Sequence, residues 1–558
     1  MQGKAEEKEK MHFSRREILK GMGAAGITPL LVSACSSSGG DSGMMLPPLP
    51  EDLPEYQWDG PVGPENLFEH GVASGDPLPE GVILWTRVTP ELSEPVEVWW
   101  EMALDEDFLE RTAQGTLTTD ASRDYTVKVD VPGLIWGRNY FYRFAVQGRW
   151  SPTGRTRLAP KGNQANKLRF GVCSCANYGF GYFHAFRRIA ERADLDAVLH
   201  LGDYFYEYGN GNYPDDTPEE PQLRLLEPPT ETITLEDYRL RFSLYRRDPD
   251  LQECHRQHPF VVVWDDHETA NNSWMGGAQN HDPETEGTWS ERVAAARQAF
   301  FEWIPIRENQ GRELYRRLEY GELADIVMLD TRIEGREQQF SLLVFPADEP
   351  SLPSNIISSG QEAWLQSQLS GSQAKWRILG NQVVMSLWQF ANPDGSKTNA
   401  NADQWNGYRE GRERLLSYFR DNDISNTVVV TGDVHSSWAM DVTFGDGSYD
   451  PMTRDGSICV EFVTPGVTSP PEIPQVVLDA FIAQSPHIRY AEADRTGYFV
   501  LDVQADKVQA DWYLLDGIAE GQGTETLDAS WAVMDGEKHI TEMAGPELPN
   551  DQAPEPAS

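Results

Sequence analysis

The chain has 558 residues, with 88 Asp+Glu against 47 Lys+Arg and a formal net charge of −41. A surface this acidic repels nucleic acid and anionic lipid, whose binders need cationic patches, so stable nucleic-acid binding is excluded. Five cysteines are too few for a disulfide scaffold, and the length admits two or more domains.

Residues 1–35 read as an address rather than as structure. Ser14-Arg15-Arg16-Glu17-Ile18-Leu19-Lys20 is a twin-arginine signal. The weakly apolar stretch 21–33 is shorter than the roughly 20 residues a membrane span needs. Val32-Ser33-Ala34-Cys35 has the form of a bacterial lipobox, with Cys35 as the residue to be lipidated. These features predict export of a folded protein by the twin-arginine machinery. The location expected is periplasmic or cell-surface, on a membrane tether. Residues 36–65, rich in Ser, Gly and Pro, are a linker.

Residues 66–160 have an all-β pattern. Apolar and polar residues alternate through 81–88, 96–101, 125–129 and 140–146, with turn residues between. This predicts a small immunoglobulin-like domain. It holds no clustered ligand set, so its role is packing or orienting. From about 166 to 545 strands alternate with helices, as at 168–172, 182–192, 324–329 and 376–379, which predicts an α/β domain. Residues 546–558, rich in Pro, Glu and Asp, are predicted to be disordered.

Four segments of the α/β part carry the chemistry: 172–177, 200–207, 261–272 and 428–435. Each opens on an apolar run and ends in Asp, Asn, His, Cys or Tyr. Apolar runs of this kind are buried parallel strands, and open α/β sheets bind ligands at the carboxyl ends of their strands. Hard oxygen and imidazole donors at four such ends suggest a polynuclear metal centre. Asp203 precedes Tyr206 by three residues. A phenol has an ordinary pKa near 10, and a trivalent iron would lower it as a metal lowers that of a coordinating thiol. Asp265 and Asp266 point to opposite faces if their strand persists, so only one is expected at the site. His267 is either a metal ligand or a proton donor, and Asn271 and Asn272 offer amide oxygens for a hard cation. Asp433 and His435 share a face on an extended chain. Cys175 ends the first strand, while Cys173 packs one pleat further in.

These residues resemble the PhoD-type alkaline phosphatases of the metallophosphoesterase superfamily. The resemblance rests on Val72-Ala73-Ser74-Gly75-Asp76-Pro77, Ser174-Cys175, Gly202-Asp203-Tyr204-Phe205-Tyr206-Glu207 and Trp264-Asp265-Asp266-His267-Glu268. It extends to Leu329-Asp330-Thr331-Arg332, Gly380-Asn381-Gln382-Val383, Gly432-Asp433-Val434-His435 and Arg495-Thr496-Gly497-Tyr498. It implies a metallophosphoesterase-type α/β/β/α sandwich. It also implies a ferric ion on Cys175, Asp203, Tyr206, Asp433 and His435. Calcium would lie on Asp203, Asp266, Asn271 or Asn272, and Asp433.

The expected function is metal-dependent hydrolysis of phosphate mono- and diesters outside the cytoplasm, by a monomer. A phosphodiesterase or phospholipase-D-like enzyme on the same centre is the alternative, decided by loops such as 209–225 and 341–359. The catalytic candidates are His267, Asp203 and Arg332, the last either a phosphate contact or half of a structural ion pair.

Overall fold

The computed structural model describes residues 53–558 other than 90–93, 219, 393, 446, 472, 551, 552, 554 and 555. The twin-arginine signal, the lipobox and most of the linker lie outside the described residues. In the strand Thr427–Thr431, Val428 and Val430 enter one core and Val429 another. This is the two-residue period of an extended chain. The same alternation separates Ile326 from Val327 and Ile378 from Leu379. Such strands read as unbroken apolar runs because both faces are covered.

Two large sheets result. The first has ten strands, in the spatial order Ile540–Glu542, Glu525–Met534, Lys507–Leu515, Gly497–Gln504, Lys167–Cys173, Ala197–His200, Pro259–Val262, Val72–Leu78, Gly81–Arg87 and Thr126–Pro132. The second has seven: Arg316–Tyr320, Ala324–Met328, Trp376–Gly380, Thr427–Thr431, Ser457–Val463, Ser437–Thr443 and Ile488–Glu492. Their inner faces share a core. Phe170 packs there against Tyr320 and Phe462 against Trp512, with ring centroids 5.1 and 5.7 Å apart. Trp512 Nε1 donates to Val463 O at 3.0 Å, tying the sheets together. Helices His184–Ala190 and Pro249–Gln257 pack on the first sheet, with Leu235–Arg246 and Trp289–Trp303 beside them. Capping boxes start the latter two, Thr234 with Asp237 and Thr288 with Glu291. Ser359–Gly371 and Arg409–Asp421 cover the second sheet with Leu365, Leu369, Leu415, Leu416 and Phe419. The architecture is an α/β/β/α sandwich, the layering that the resemblance implies.

Two features differ from the sequence expectation. The all-β segment does form a sandwich, around Leu84, Val98, Tyr142 and Phe144. One of its two sheets, however, continues the large one. Val72–Leu78 pairs in parallel with Pro259–Val262, Ser74 opposite Pro259 and Gly75 opposite Phe260. Periodicity gives each strand its faces but does not name its partner. Described residues of the C-terminal segment also contact the rest of the chain. Asn550 N–H donates to Asp194 at 2.9 Å, Ala557 N–H to Gln257 at 2.9 Å, and Glu547 pairs with Lys507. Asn550 and Ala557 are thus held through their backbone N–H groups by the buried side chains of Asp194 and Gln257.

Candidate metal centre

Lys167–Cys173, Ala197–His200 and Pro259–Val262 run parallel and adjacent, with Val172 opposite Leu199 and Leu199 opposite Val261. The loops after them carry Cys175, Asp203, and Asp266 with His267. In the second sheet Ala324–Met328, Trp376–Gly380 and Thr427–Thr431 are likewise parallel. The loops after the first and last of these carry Arg332, and Asp433 with His435. The site therefore lies at the carboxyl edge of both sheets.

These loops turn sharply. Cys175, Asp203, Asp433 and His435 have φ of 59°, 52°, 67° and 53°, a left-handed region that residues with a Cβ rarely enter. Asp433 and His435 thus meet the site through two left-handed turns, not through the shared face of an extended strand. Gly202, at φ 107°, precedes Asp203, and a Cβ there would lie 2.4 Å from Asp265 Cβ. Only glycine fits that turn.

The side chains converge. Tyr206 Oη lies 3.1 Å from Asp203 Oδ2 and 3.0 Å from His435 Nε2, and Ser469 Oγ donates to it at 2.8 Å. Ligand atoms of Cys175, Asp203 and His435 lie within 4.8 Å of one another. The same holds for Asp203, Asp266 and His267, and for Asp265, Asp266 and Asp433. Asp203 and Asp266 each belong to two of these groups, so the three form one cluster. His435 Nδ1 is 3.0 Å from Pro470 O, which sets the tautomer and turns Nε2 toward the cluster.

Burial raises the pKa of Asp203, Tyr206 and Cys175 well above the ordinary values. Asp266 and Glu268 push Asp203 further, and Asp203 pushes both Tyr206 and Cys175. Asp433 is raised to about 6 by burial and by Asp403 and Asp266, against the pull of Arg332. These groups cannot all ionise side by side unless a cation joins them. Asp266 Oδ1 and Asp265 Oδ2 are buried without a hydrogen-bond partner among the described residues, a costly state for carboxylate oxygens. Thiol, phenol and imidazole suit a transition metal, and carboxylates suit a harder cation. The residues fit bound metal ions.

Both Asp265 and Asp266 reach the cluster, contrary to the expectation that only one would. The strand ends at Val262, so the alternation of faces does not extend to them. Asn271 N–H donates to Glu207 at 2.6 Å and Asn272 N–H to Asp266 at 2.5 Å, while the Asn272 amide donates to Gln279 at 2.6 Å. Arg332 is fully buried. It binds Asp265, Asp403 at 2.7 Å and Asp433 at 2.6 Å, and lies 3.6 Å from Asp266. Its guanidinium is committed to carboxylates, the arrangement expected of a structural ion pair.

Sequence reasoning missed two acids that hold the site in shape. Glu268 accepts from the N–H groups of Asp203 at 3.0 Å, Tyr204 at 2.6 Å and Asp265 at 2.8 Å, locking two ligand loops together. Burial raises its pKa to about 7, against those three bonds. Glu207 takes His267 Nδ1 at 2.6 Å and Asn280 Nδ2 at 2.9 Å. Its carboxyl is buried yet held below the ordinary range by His267. The signal was present, since each follows a ligand motif directly, but ligand and scaffold acids look alike in sequence.

Residues 170–512 match the family model of PhoD-like phosphatases, and residues 59–160 that of the PhoD-like phosphatase N-terminal domain. Alkaline phosphatase D of Bacillus subtilis (strain 168) is 34% identical over 488 residues, which cover 83% of this chain and 80% of that protein. A solved structure of PhoD matches with a TM-score of 0.78 and 31% identity, over 89% of this chain and 94% of that one. Purple acid phosphatase PPD1 from yellow lupin (Lupinus luteus) seeds shares the fold, with a TM-score of 0.53 and 13% identity over 83% and 73% of the two chains. The likeness spans both the β-rich N-terminal part and the metal-binding part, and the chain belongs to the PhoD-like phosphatases, as a phosphoric ester hydrolase.

Proposed function

We propose that the protein is an exported alkaline phosphatase that hydrolyses phosphomonoesters and phosphodiesters with ferric iron and calcium. The observation that carries this reading is the single buried cluster of thiol, phenol, imidazole and carboxylates. Cys175, Asp203, Tyr206, Asp433 and His435 would hold the iron. Asp203, Asp266, Asp433 and an amide of Asn271 or Asn272 would hold the calcium. Bound there, such ions supply positive charge to the phosphoryl oxygens and acidify the attacking water.

The chain's own part centres on His267. Glu207 occupies Nδ1 at 2.6 Å, which leaves Nε2 for the substrate. Burial alone would lower the imidazole pKa, but Asp266, Glu207 and Asp203 raise it well above the ordinary value. With Glu207 as its carboxylate partner at Nδ1, His267 is placed to give a proton from Nε2 to the leaving alkoxide as the P–O bond breaks. Arg332 and Glu268 keep the surrounding carboxylates and loops in register.

The test is elemental analysis with visible spectroscopy. Iron, calcium and a charge-transfer band are expected. Zinc or magnesium alone, with no band, defeats the iron assignment. Calcium chelation is expected to abolish phosphate release. Export and anchoring rest on Arg15-Arg16 and on Val32-Ser33-Ala34-Cys35. Cell fractionation of wild type against Cys35→Ala tests the anchor, and equal solubility of the two in the periplasm counts against it.

A further inference from the structure

A cavity of about 530 Å³ adjoins the cluster, within the size range of small-ligand sites. Two of its wall residues touch the centre. Asn272 N–H holds Asp266, and Asp403 holds Arg332, which holds Asp433. No Lys, Arg or His lines it among the described residues, and its one acid, Asp403, is neutralised by Arg332 and Arg336. The rim includes Leu342 and Leu343, which are 54% and 70% exposed. Exposed leucines beside a polar centre mark a contact surface more than a solvated one. Gln339 Oε1 in the wall is buried and has no hydrogen-bond partner among the described residues, so a donor on a ligand would satisfy it.

We propose that this cavity takes the organic group of the phosphate ester and selects an uncharged, partly apolar alcohol over one bearing further anionic groups. The inference rests on the phosphoesterase reading above. The physical reason is that phosphate charge is met at the metal cluster. A second anion would enter a cavity that has no counter-charge, within a protein of formal charge −41. Burying an unpaired charge is costly, whereas burying apolar surface is favourable.

The experiment compares 4-methylbenzyl phosphate with 4-carboxybenzyl phosphate, using the metal-loaded protein. The neutral ester should have a kcat/KM about tenfold or more higher. The preference should persist at roughly 1 M salt, where the screening length is about 3 Å. Leu342→Lys places a cation on an exposed rim position and should shrink or invert the ratio, mainly through KM. Equal turnover of the two esters overturns the proposal. So does a preference that vanishes in high salt, which would belong to the acidic surface as a whole, or a ratio that Leu342→Lys leaves unmoved. Release of phosphate from neither ester would instead overturn the phosphomonoesterase part of the proposed function.

Discussion

Asp203 is shared by two of the three ligand groups, so its loss removes a donor from both at once. Asp203→Ala is expected to lose bound metal and nearly all phosphate release. Retention of metal and turnover together would end the bridging assignment. His267 touches the same cluster, but its Nδ1 is committed to Glu207. His267→Ala should keep its metal and slow by about 10²–10⁴-fold. The loss should be larger for alkyl than for activated aryl phosphates, because poor leaving groups need the proton most. Loss of metal in that variant would make His267 a ligand. Equal impairment on both substrates would mean that it polarises phosphate instead. Glu207→Gln keeps a hydrogen-bond partner for the ring but removes the negative charge that favours imidazolium. It should show the same leaving-group bias in weaker form. Kinetics on the two substrate types checks this.

At the scale of elements, the site depends on how strands end. Four candidate ligands occupy left-handed backbone immediately after parallel strands, at a cost of about 1–3 kcal/mol each where the surroundings enforce it. Gly202→Ala should therefore lower both the melting temperature and the metal content, because its new Cβ would meet Asp265. An unchanged melting curve with full metal content would show that the turn gives way freely. The N-terminal strands matter for a different reason. Val72–Leu78 covers the edge of Pro259–Val262, the strand that leads to Asp266 and His267. Deleting residues 66–160 would expose that edge to pairing with other chains. Aggregation is expected rather than a soluble catalytic domain, as size-exclusion chromatography would reveal. The strands themselves were legible from alternation, but their pairing across the two segments was not.

At the scale of the molecule, five of the buried histidines among the described residues are held neutral. Burial is the largest cause of the lowered pKa of His70, His200, His255, His258 and His487. His487, which lies 2.9 Å from Leu387 O, is lowered to about 4, with Arg412 and Lys397 adding to burial. Because its folded pKa is depressed, its contribution is fully present above the unfolded pKa of about 6.5 and is lost as pH falls toward 4. A shift of that size corresponds to about 3 kcal/mol. Protonating carboxylates relieves repulsion in this acidic chain over the same range, but it also weakens buried ion pairs such as Arg169 with Asp502. The melting temperature should fall from pH 6.5 to 4.5, and His487→Gln should flatten part of that fall. Comparing wild type with the variant cancels any common loss of metal. Parallel curves would remove His487 from the account.

The amino-acid sequence alone carried the α/β order, the family and the metal chemistry. Buried strands declare themselves as apolar runs, and the donors of each loop lie within a few residues of a strand end. Cys175, Asp203, Tyr206, Asp433 and His435 stood out for that reason. Tertiary structure decided what each charged residue does. Asp265, Asp266, Glu207, Glu268 and Asp403 are chemically the same kind of group, and whether one faces the cluster, a backbone amide or Arg332 depends on distances between loops of two sheets. Those distances follow from strand pairing and sheet packing, which join segments hundreds of residues apart and leave no local trace in the chain.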